Sequence, residues 1–183
     1  RQGVTHLAAT PHFYPNRTSP DKFLRKRQVS WDNLAPHLES GLPQIKLGAE
    51  VHYYEGIGLL DGIMELCLEH TSLLLVEMPF TKWRTRMLDV LTELSGMHNI
   101  RVLLAHFELY LPYQSGNTWN ILRQNGVLMQ ANADFFLDRR TRRMAMKMLK
   151  NGDIDVLGSD CHNMDGRKPN LGSATDAIVN KLA

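Results

Sequence analysis

Residues of metal-ligand type close five short apolar runs along the chain. The runs are HLAATPH, IKLGAEVH, LLLVEMPF, RVLLAHFE and DVLGSDCH. Each run is typical of a buried β-strand with its polar residue at the downstream end. Imidazole nitrogens and carboxylate oxygens bind divalent transition metals. The candidate metal ligands are His12, Glu50, Glu77, His106, Asp160 and His162.

The elements that carry these residues alternate between strand and helix patterns. Strands are predicted near residues 5–11, 45–53, 73–79, 100–106, 126–132 and 154–160, and helices over 23–40, 85–97, 116–126, 138–152 and 173–183. Such alternation predicts an α/β fold with right-handed crossovers and a parallel sheet. Pro36 is expected to kink or divide the first helix, and Gly41, Gly96, Gly126 and Gly152 to cap helix ends.

The spread of the candidate ligands favours a barrel over an open sheet. Five strand ends contribute, whereas a doubly wound open sheet, which explains the alternation equally well, concentrates its site at one switch point. Six strands are few for a closed barrel, and the chain opens on Arg1 without a Met. We therefore expect an opening strand and helix to precede this sequence.

Strand geometry predicts which side chains share a face, because residues two apart point the same way. Asp160 and His162 are then expected to face the site together, with Cys161 turned away. Any one ligand-type residue is more often a cap or an ion-pair partner. The same placement of ligand-type residues on successive strands favours a metal site. Glu77 is the strongest evidence, because a carboxylate that follows LLLV is costly to bury without a cationic partner or a metal ion.

Composition limits the other functions and the number of domains that the sequence could have. The 183 residues suit one domain, residues 1–183, and a net charge of +2 does not indicate nucleic-acid binding. We interpret the basic cluster in RRTRRMAMKMLK as the solvated face of a helix. No apolar run reaches membrane-span length, and Cys67 and Cys161 lack disulfide or metal spacing. We expect a cytoplasmic protein without membrane insertion, and no feature predicts its oligomeric state.

The motifs carry a family resemblance over essentially the whole chain. GVTHLAATPH, GAEVHYYEG, LLLVEMPF, RVLLAHFELY and GSDCHN, in that order, resemble the polymerase and histidinol phosphatase (PHP) superfamily. More narrowly, they resemble the manganese-dependent protein-tyrosine phosphatases of bacterial capsule and exopolysaccharide operons. The resemblance implies a distorted, TIM-like (β/α)7 barrel whose C-terminal face holds up to three metal ions, usually manganese, with iron or zinc as alternatives.

The resemblance also assigns roles to residues. The six candidate ligands match metal-ligand positions, and Glu77 matches a carboxylate that bridges metals. Arg167 matches a basic residue that contacts the substrate phosphate, so Arg167 and His162 are the candidate catalytic residues. The implied substrate is phosphotyrosine on a bacterial tyrosine kinase that controls capsule synthesis. Paired cations in such sites activate water and stabilise the attacking and leaving oxygens.

Two departures from the family pattern keep other functions open. Relatives begin with a DxHxH strand, which does not occur in this sequence. Where relatives read AHPERY this chain reads AHFELY, so Phe107 replaces a Pro and Leu109 replaces a phosphate-binding Arg. The alternatives are a phosphoesterase for a small metabolite such as histidinol phosphate, and a degenerate, non-catalytic PHP domain.

A competing signature is the C-x5-R spacing of Cys161 and Arg167, which marks cysteine-based tyrosine phosphatases. That mechanism needs a low-pKa thiolate in a Gly-rich phosphate cradle. Asp160 precedes the Cys, and the intervening HNMDG lacks the small, Gly-rich character of such a loop. We interpret the spacing as a coincidence.

Overall fold

The structure, a computed structural model, describes residues 2–97 and 99–182, without the side chains of residues 97 and 182. Arg1 and Ala183, the predicted limits of the domain, lie outside the described residues. The strands are β1 His6–Ala9, β2 His12–Phe13, β3 Gln44–Leu47, β4 Glu50–His52, β5 Leu73–Glu77, β6 Arg101–Leu104, β7 Leu128–Asn132 and β8 Val156–Gly158. The helices are α1 Pro20–Leu34, α2 Thr85–Met97, α3 Gly116–Gln124, α4 Ala133–Leu137, α5 Arg142–Lys150 and α6 Leu171–Leu182.

All described strand pairs are parallel, as the alternation of strand and helix patterns predicts. Six strands form one sheet in the order β2-β4-β5-β6-β7-β8, and β1 pairs with β3. The two sheets keep one register, since His6 pairs with Gln44 and His12 with Glu50. The predicted strand 5–11 therefore ends early, at Ala9, and an interruption at residues 10–11 separates it from β2, which lies beyond the predicted limit. The predicted strand 45–53 is interrupted at residues 48–49. Pro11, which has no N–H to donate, lies at the first interruption.

The sheet curls so that its two edges approach each other. His12 begins the two-residue edge strand β2 and His162 follows the opposite edge strand β8, yet their Nε2 atoms lie 3.5 Å apart. Six parallel strands laid flat would separate the edges by about 24 Å. Among the described residues no hydrogen-bonded pairing joins β8 to β1 or β2. The architecture is thus a curled parallel half-barrel.

The core lies between the central strands and the helices. Leu74 and Val76 of β5 are fully buried, while Leu75 and Glu77 alternate with them on the other face. Helix α2 packs on β6 and contributes Leu91 to the core. This alternation explains why the LLLV run ends in a carboxylate that faces into the concave side of the sheet.

Several element boundaries differ from the sequence expectations. Helix α1 begins at Pro20, with Ser19 Oγ accepting a hydrogen bond from Lys22 N, three residues before the predicted start. It ends before Pro36, where a 3₁₀ helix, Ala35–His37, takes over as predicted for a dividing proline. The short helix α4 was not predicted. No described helix has the length and apolar character needed to cross a membrane.

The predicted glycine caps are correct at two of four positions. Gly126 and Gly152 follow the C-cap residues of α3 and α5 and have positive φ, the left-handed conformation that favours glycine after a helix. Gly41 also has positive φ, but it lies in a turn beyond the 3₁₀ helix that ends at His37, so its predicted capping role is wrong. Gly96 instead lies inside α2, so its predicted capping role is wrong.

The basic cluster divides into two parts. Arg139, Arg140, Arg143 and Lys147 are exposed. Arg143 and Lys147 lie on α5, as expected for a solvated helix face, whereas Arg139 and Arg140 precede the helix. Arg142 is only half-buried and donates to the carbonyls of Phe136 and Leu137 at the end of α4. Its role is therefore structural.

Candidate metal centre

The residues predicted to form the site meet in one cleft at the carboxyl ends of the strands. The cleft has a volume of about 770 Å³. Its lining includes all six candidate ligands and Arg167, that is His12, Glu50, Glu77, His106, Asp160, His162 and Arg167. Parallel strand ends on a curled sheet bring these side chains together although they are far apart in sequence.

Glu50 lies at the centre of the cluster. Its Oε1 is 3.4 Å from His106 Nε2 and 3.8 Å from His12 Nδ1. His106 Nε2 is also 3.6 Å from Glu77 Oε1. Donor atoms of His12, Glu50 and Glu77 all lie within 4.8 Å of one another, a spacing that one cation can span.

Burial changes from the floor of the cleft to its mouth. Glu50 and His106 are buried, Glu77 and Asp160 are half-buried, and His12 and His162 are exposed. His52 Nδ1 lies 3.1 Å from Glu77 Oε2 and orients that carboxylate. The site is therefore open to solvent on one side and rigidly held on the other.

Two of the candidate ligands adopt left-handed backbone conformations. His106 has φ 32° and Asp160 has φ 47°. For non-glycine residues such conformations cost about 1–3 kcal/mol each and persist only where the surroundings enforce them. The turn at His106 starts the 3₁₀ helix Phe107–Tyr110, which Tyr110 anchors by accepting a hydrogen bond from Met78 N through its hydroxyl.

Asp160 and His162 share the cleft for a different reason than the one predicted. Strand β8 ends at Gly158, so the alternation of an extended strand does not apply to residues 160–162. A left-handed turn at Asp160 directs the chain, and His162 Nδ1 lies 2.9 Å from the Asp160 carbonyl. Cys161 does turn away, and its Sγ donates to Asn163 O at 3.6 Å.

Arg167 reaches the cleft from a loop that is held together by hydrogen bonds between its own residues. The Arg167 carbonyl accepts from His162 N and Asn163 N, and Asn163 Oδ1 accepts from Asp165 N and Arg167 N. The guanidinium donates to Asp160 Oδ2 through Nη2 and is half exposed. Its remaining N–H groups stay available to an anion in the cleft.

The charges in the cleft explain the protonation behaviour of His106. Burial disfavours its charged form, but the hydrogen bond and charge of Glu50, with the charges of Glu77 and Asp160, outweigh burial and raise the pKa of His106. Three carboxylates thus converge where a buried cation would be stabilised.

Apolar side chains surround the mouth of the cleft. Phe80, Leu109 and Met144 are each close to half exposed and line the opening. The Phe80 ring stacks over His106 with centroids 5.9 Å apart and planes at 16°. Such a rim suits a substrate with an aromatic ring.

Comparison with known proteins agrees with this geometry. The family model for capsular polysaccharide synthesis, CpsB/CapC, matches residues 1–183. The chain belongs to the CpsB/CapC family.

One solved relative shares the fold of this CpsB/CapC chain. It is a chain from the crystal structures of YwqE from Bacillus subtilis and CpsB from Streptococcus pneumoniae, described as metal-dependent tyrosine phosphatases. The TM-score is 0.80 at 17% sequence identity, over 98% of this chain and 74% of that chain. At this identity the likeness establishes the fold.

The CpsB/CapC chain has a donor set that fits divalent metal ions. Three imidazoles and three carboxylates converge, and such mixed nitrogen and oxygen donors suit manganese, iron or zinc. Glu50 and Glu77 approach one another with one histidine, His106, within 4 Å of both. The metal-ligand roles of the six residues remain a prediction.

Further polar residues lie beside the candidate ligands. Glu108, which the alternation of a strand predicts on the same face as His106, is buried. Its Oε1 accepts from Asn132 N, and its Oε2 has no hydrogen-bond partner among the described residues. Burial raises the pKa of Glu108 to about 7. Gln130 and Asn132 follow the rule that identified the ligands, since they are polar residues at the downstream end of a buried strand. Their residue type does not mark them in the sequence, because amides are not typical metal ligands.

Proposed function

We propose that this CpsB/CapC chain is a metal-dependent protein-tyrosine phosphatase that hydrolyses phosphotyrosine during capsular polysaccharide synthesis. The observation that carries the proposal is the convergence of three carboxylates, three imidazoles and Arg167 in one cleft. The shared fold with proteins described as metal-dependent tyrosine phosphatases supports it.

The finer features of fold and cofactor belong to this proposal. The curled sheet corresponds to part of a distorted, TIM-like (β/α)7 barrel of the PHP type. Mn²⁺ is the proposed metal, with iron or zinc as alternatives, held by the six candidate ligands. When bound, such cations activate water and stabilise negative charge on the phosphoryl oxygens.

The protein's own residues bind and orient the substrate. Arg167 neutralises phosphoryl oxygens through N–H groups that Asp160 does not use. The rim residues Phe80 and Met144 contact the tyrosine ring and exclude water from one side of the phosphate. His162, fixed through Nδ1 at the Asp160 carbonyl, presents Nε2 to the cleft, where it binds metal or carries a proton.

The proposed substrate protein is a bacterial tyrosine kinase, and the proposed location is the cytoplasm. The residues at the mouth of the cleft are exposed to solvent, which suits a phosphotyrosine on a protein segment. The free cysteines Cys67 and Cys161 fit a reducing compartment.

A second candidate function rests on Leu109. It is exposed at the mouth of the cleft, at a position where the resembled phosphatases carry a phosphate-binding Arg. Loss of that cation leaves Arg167 to bind the phosphate and favours a different phosphoester, such as histidinol phosphate.

Substrate comparison tests the proposal. Phosphate release from a phosphotyrosine peptide and from histidinol phosphate is measured with Mn²⁺ present. We expect a higher kcat/KM for the peptide, because the apolar rim contacts its aromatic ring. A higher value for histidinol phosphate would select the metabolite phosphoesterase, and no release from either by folded protein would indicate a non-catalytic domain.

A further inference from the structure

Strand β7 ends in the cleft without contributing any residue of metal-ligand type. The amides Gln130 and Asn132 lie on one face of the strand because they are two apart; Gln130 is buried and Asn132 lines the cleft. We propose that these two side chains form a positioning relay that holds His106 and Asp160 at a fixed separation, and that Gly158 makes room for it. The inference rests on the proposed metal-dependent function.

Three hydrogen bonds join the two candidate ligands through the relay. His106 N donates to Gln130 Oε1 at 2.6 Å, and Gln130 Nε2 donates to Asn132 Oδ1 at 3.0 Å. Asn132 Nδ2 then donates to Asp160 Oδ2 at 3.2 Å. The relay therefore runs from the backbone of one ligand to the carboxylate of the other.

The chemistry at both ends fixes the orientation of both amides. A backbone N–H only donates, so the oxygen of Gln130 must face His106. A carboxylate only accepts, so the nitrogen of Asn132 must face Asp160. Between these ends, the Gln130 nitrogen meets the Asn132 oxygen, and every bond has a donor and an acceptor. Flipping either amide would break two bonds.

The relay ends at the two candidate ligands with left-handed backbones. His106 and Asp160 each hold a conformation that needs enforcement by neighbouring groups. Gln130 bonds directly to the strained residue 106, and Asn132 N also donates to Glu108 Oε1 in the next turn. Strand β7 thus anchors both turns, one on each side of it in the sheet.

The relay bonds to one oxygen of Asp160, Oδ2, and not to the other. Asn132 and Arg167 both donate to Oδ2, whereas Oδ1 lies 3.4 Å from His162 Nδ1. Asn132 and Arg167 hold Oδ2 together, so the orientation of the carboxylate does not depend on Arg167 alone. A cation bound at Asp160 would meet a carboxylate of fixed orientation.

Gly158 on β8 pairs with Asn132 and lies against the Gln130 amide. A Cβ at residue 158 would lie 2.5 Å from Gln130 Nε2 and 3.1 Å from its Cδ. Its three nearest neighbours are all atoms of the Gln130 side chain. An alanine at this position would therefore displace the relay while leaving the surrounding backbone in place.

The test measures Mn²⁺ affinity by calorimetry for Gln130→Met and Gly158→Ala, with Gln124→Met as the matched control. Gln130→Met keeps the side-chain volume and removes both hydrogen bonds, while Gln124 is exposed at the end of α3. We expect both relay variants to bind Mn²⁺ about 10- to 100-fold more weakly, as for other groups that orient metal ligands. The control should match the wild type.

Two further readouts separate positioning from a general structural role. Saturating Mn²⁺ should restore kcat in the relay variants, with the KM for phosphotyrosine peptide unchanged. In a Gln130→Ala background, adding Gly158→Ala should cause no further loss of Mn²⁺ affinity, because the amide it displaces is gone.

Wild-type Mn²⁺ affinity in folded Gln130→Met or Gly158→Ala protein would overturn the relay. So would a Gly158→Ala effect that persists undiminished in the Gln130→Ala background. If Gln130→Met fails to fold, the Mn²⁺ affinity of Gly158→Ala alone decides whether the relay positions the ligands. A wild type that binds Mn²⁺ but releases no phosphate would refute the proposed function, while weakened Mn²⁺ binding in the variants would still support the relay.

Discussion

At the scale of single residues, the chemistry concentrates on carboxylates that would repel one another without a cation. Glu77 is half-buried, 3.6 Å from His106 and 3.1 Å from His52. Its ligand type and its position after LLLV were sufficient to select it from the sequence. What the sequence did not disclose is the orienting contact from His52, because that contact depends on the register of β4 against β5.

Glu77→Gln should abolish metal-dependent turnover, with kcat lower by several orders of magnitude. The amide keeps the side-chain volume but loses the negative charge that attracts the cation. Phosphate release at saturating Mn²⁺ measures the effect. The control is Glu93→Gln, which removes a surface charge paired with Arg86 and should leave turnover unchanged. Normal turnover in Glu77→Gln would refute the assignment of this residue.

Cys161→Ser should leave turnover and its metal dependence intact. Cys161 is exposed, its Sγ donates to the Asn163 carbonyl, and it does not line the cleft in the described residues. Phosphate release with and without EDTA is the measurement. Loss of activity in the variant would instead show that the C-x5-R spacing marks a thiolate mechanism.

The second cysteine provides an internal comparison. Burial raises the pKa of the Cys67 thiol to about 11. A thiol reagent at pH 8 should therefore label Cys161 alone in the folded protein.

At the scale of elements, strand ends were predictable and the connections between them were not. Each of the five apolar runs contains a strand, and Glu77 ends β5 as predicted. His12 and Glu50 instead begin the short strands β2 and β4, and His106 and Asp160 follow the ends of β6 and β8. The sequence did not predict the interruptions before His12 and Glu50, because a continuous apolar pattern does not show where the backbone hydrogen bonds between paired strands are broken. The turns after β6 and β8 depend on left-handed residues that a two-residue period cannot predict.

The contact between the 3₁₀ helix Phe107–Tyr110 and β7 should make stability depend on pH. Burial raises the pKa of Glu108 from 4.5 to about 7. Because the folded-state pKa is higher, protonation favours folding, and this stability is lost as pH rises through about 7. Between pH 5.5 and 8.5 the wild type should lose on the order of 2 kcal/mol relative to Glu108→Gln.

Urea unfolding in EDTA at both pH values measures this difference without interference from metal binding. Glu108→Gln keeps the shape of the side chain and remains neutral throughout. An equal stability difference between wild type and variant at the two pH values would show that Glu108 is ionised across the whole range.

At the scale of the whole molecule, curvature of the sheet creates the site. The edge strands β2 and β8 lie at opposite ends of the strand order, yet His12 and His162 lie 3.5 Å apart. Alternation of strands and helices predicted a parallel sheet. Ligand-type residues at five strand ends favoured a barrel over an open sheet with its site at one switch point. The relay residues lie at the end of a predicted strand, but the sequence does not show their partners, His106 and Asp160, which only the fold brings near.

Metal-dependent hydrolysis of phosphotyrosine by this chain is the central claim, and one measurement tests it most directly. Phosphate release from a phosphotyrosine peptide is followed with the 183-residue chain in added Mn²⁺ and, separately, in EDTA. We predict release in Mn²⁺ that EDTA abolishes and that added Mn²⁺ restores. Release that is unaffected by EDTA, or none in either condition from folded protein, would contradict the account.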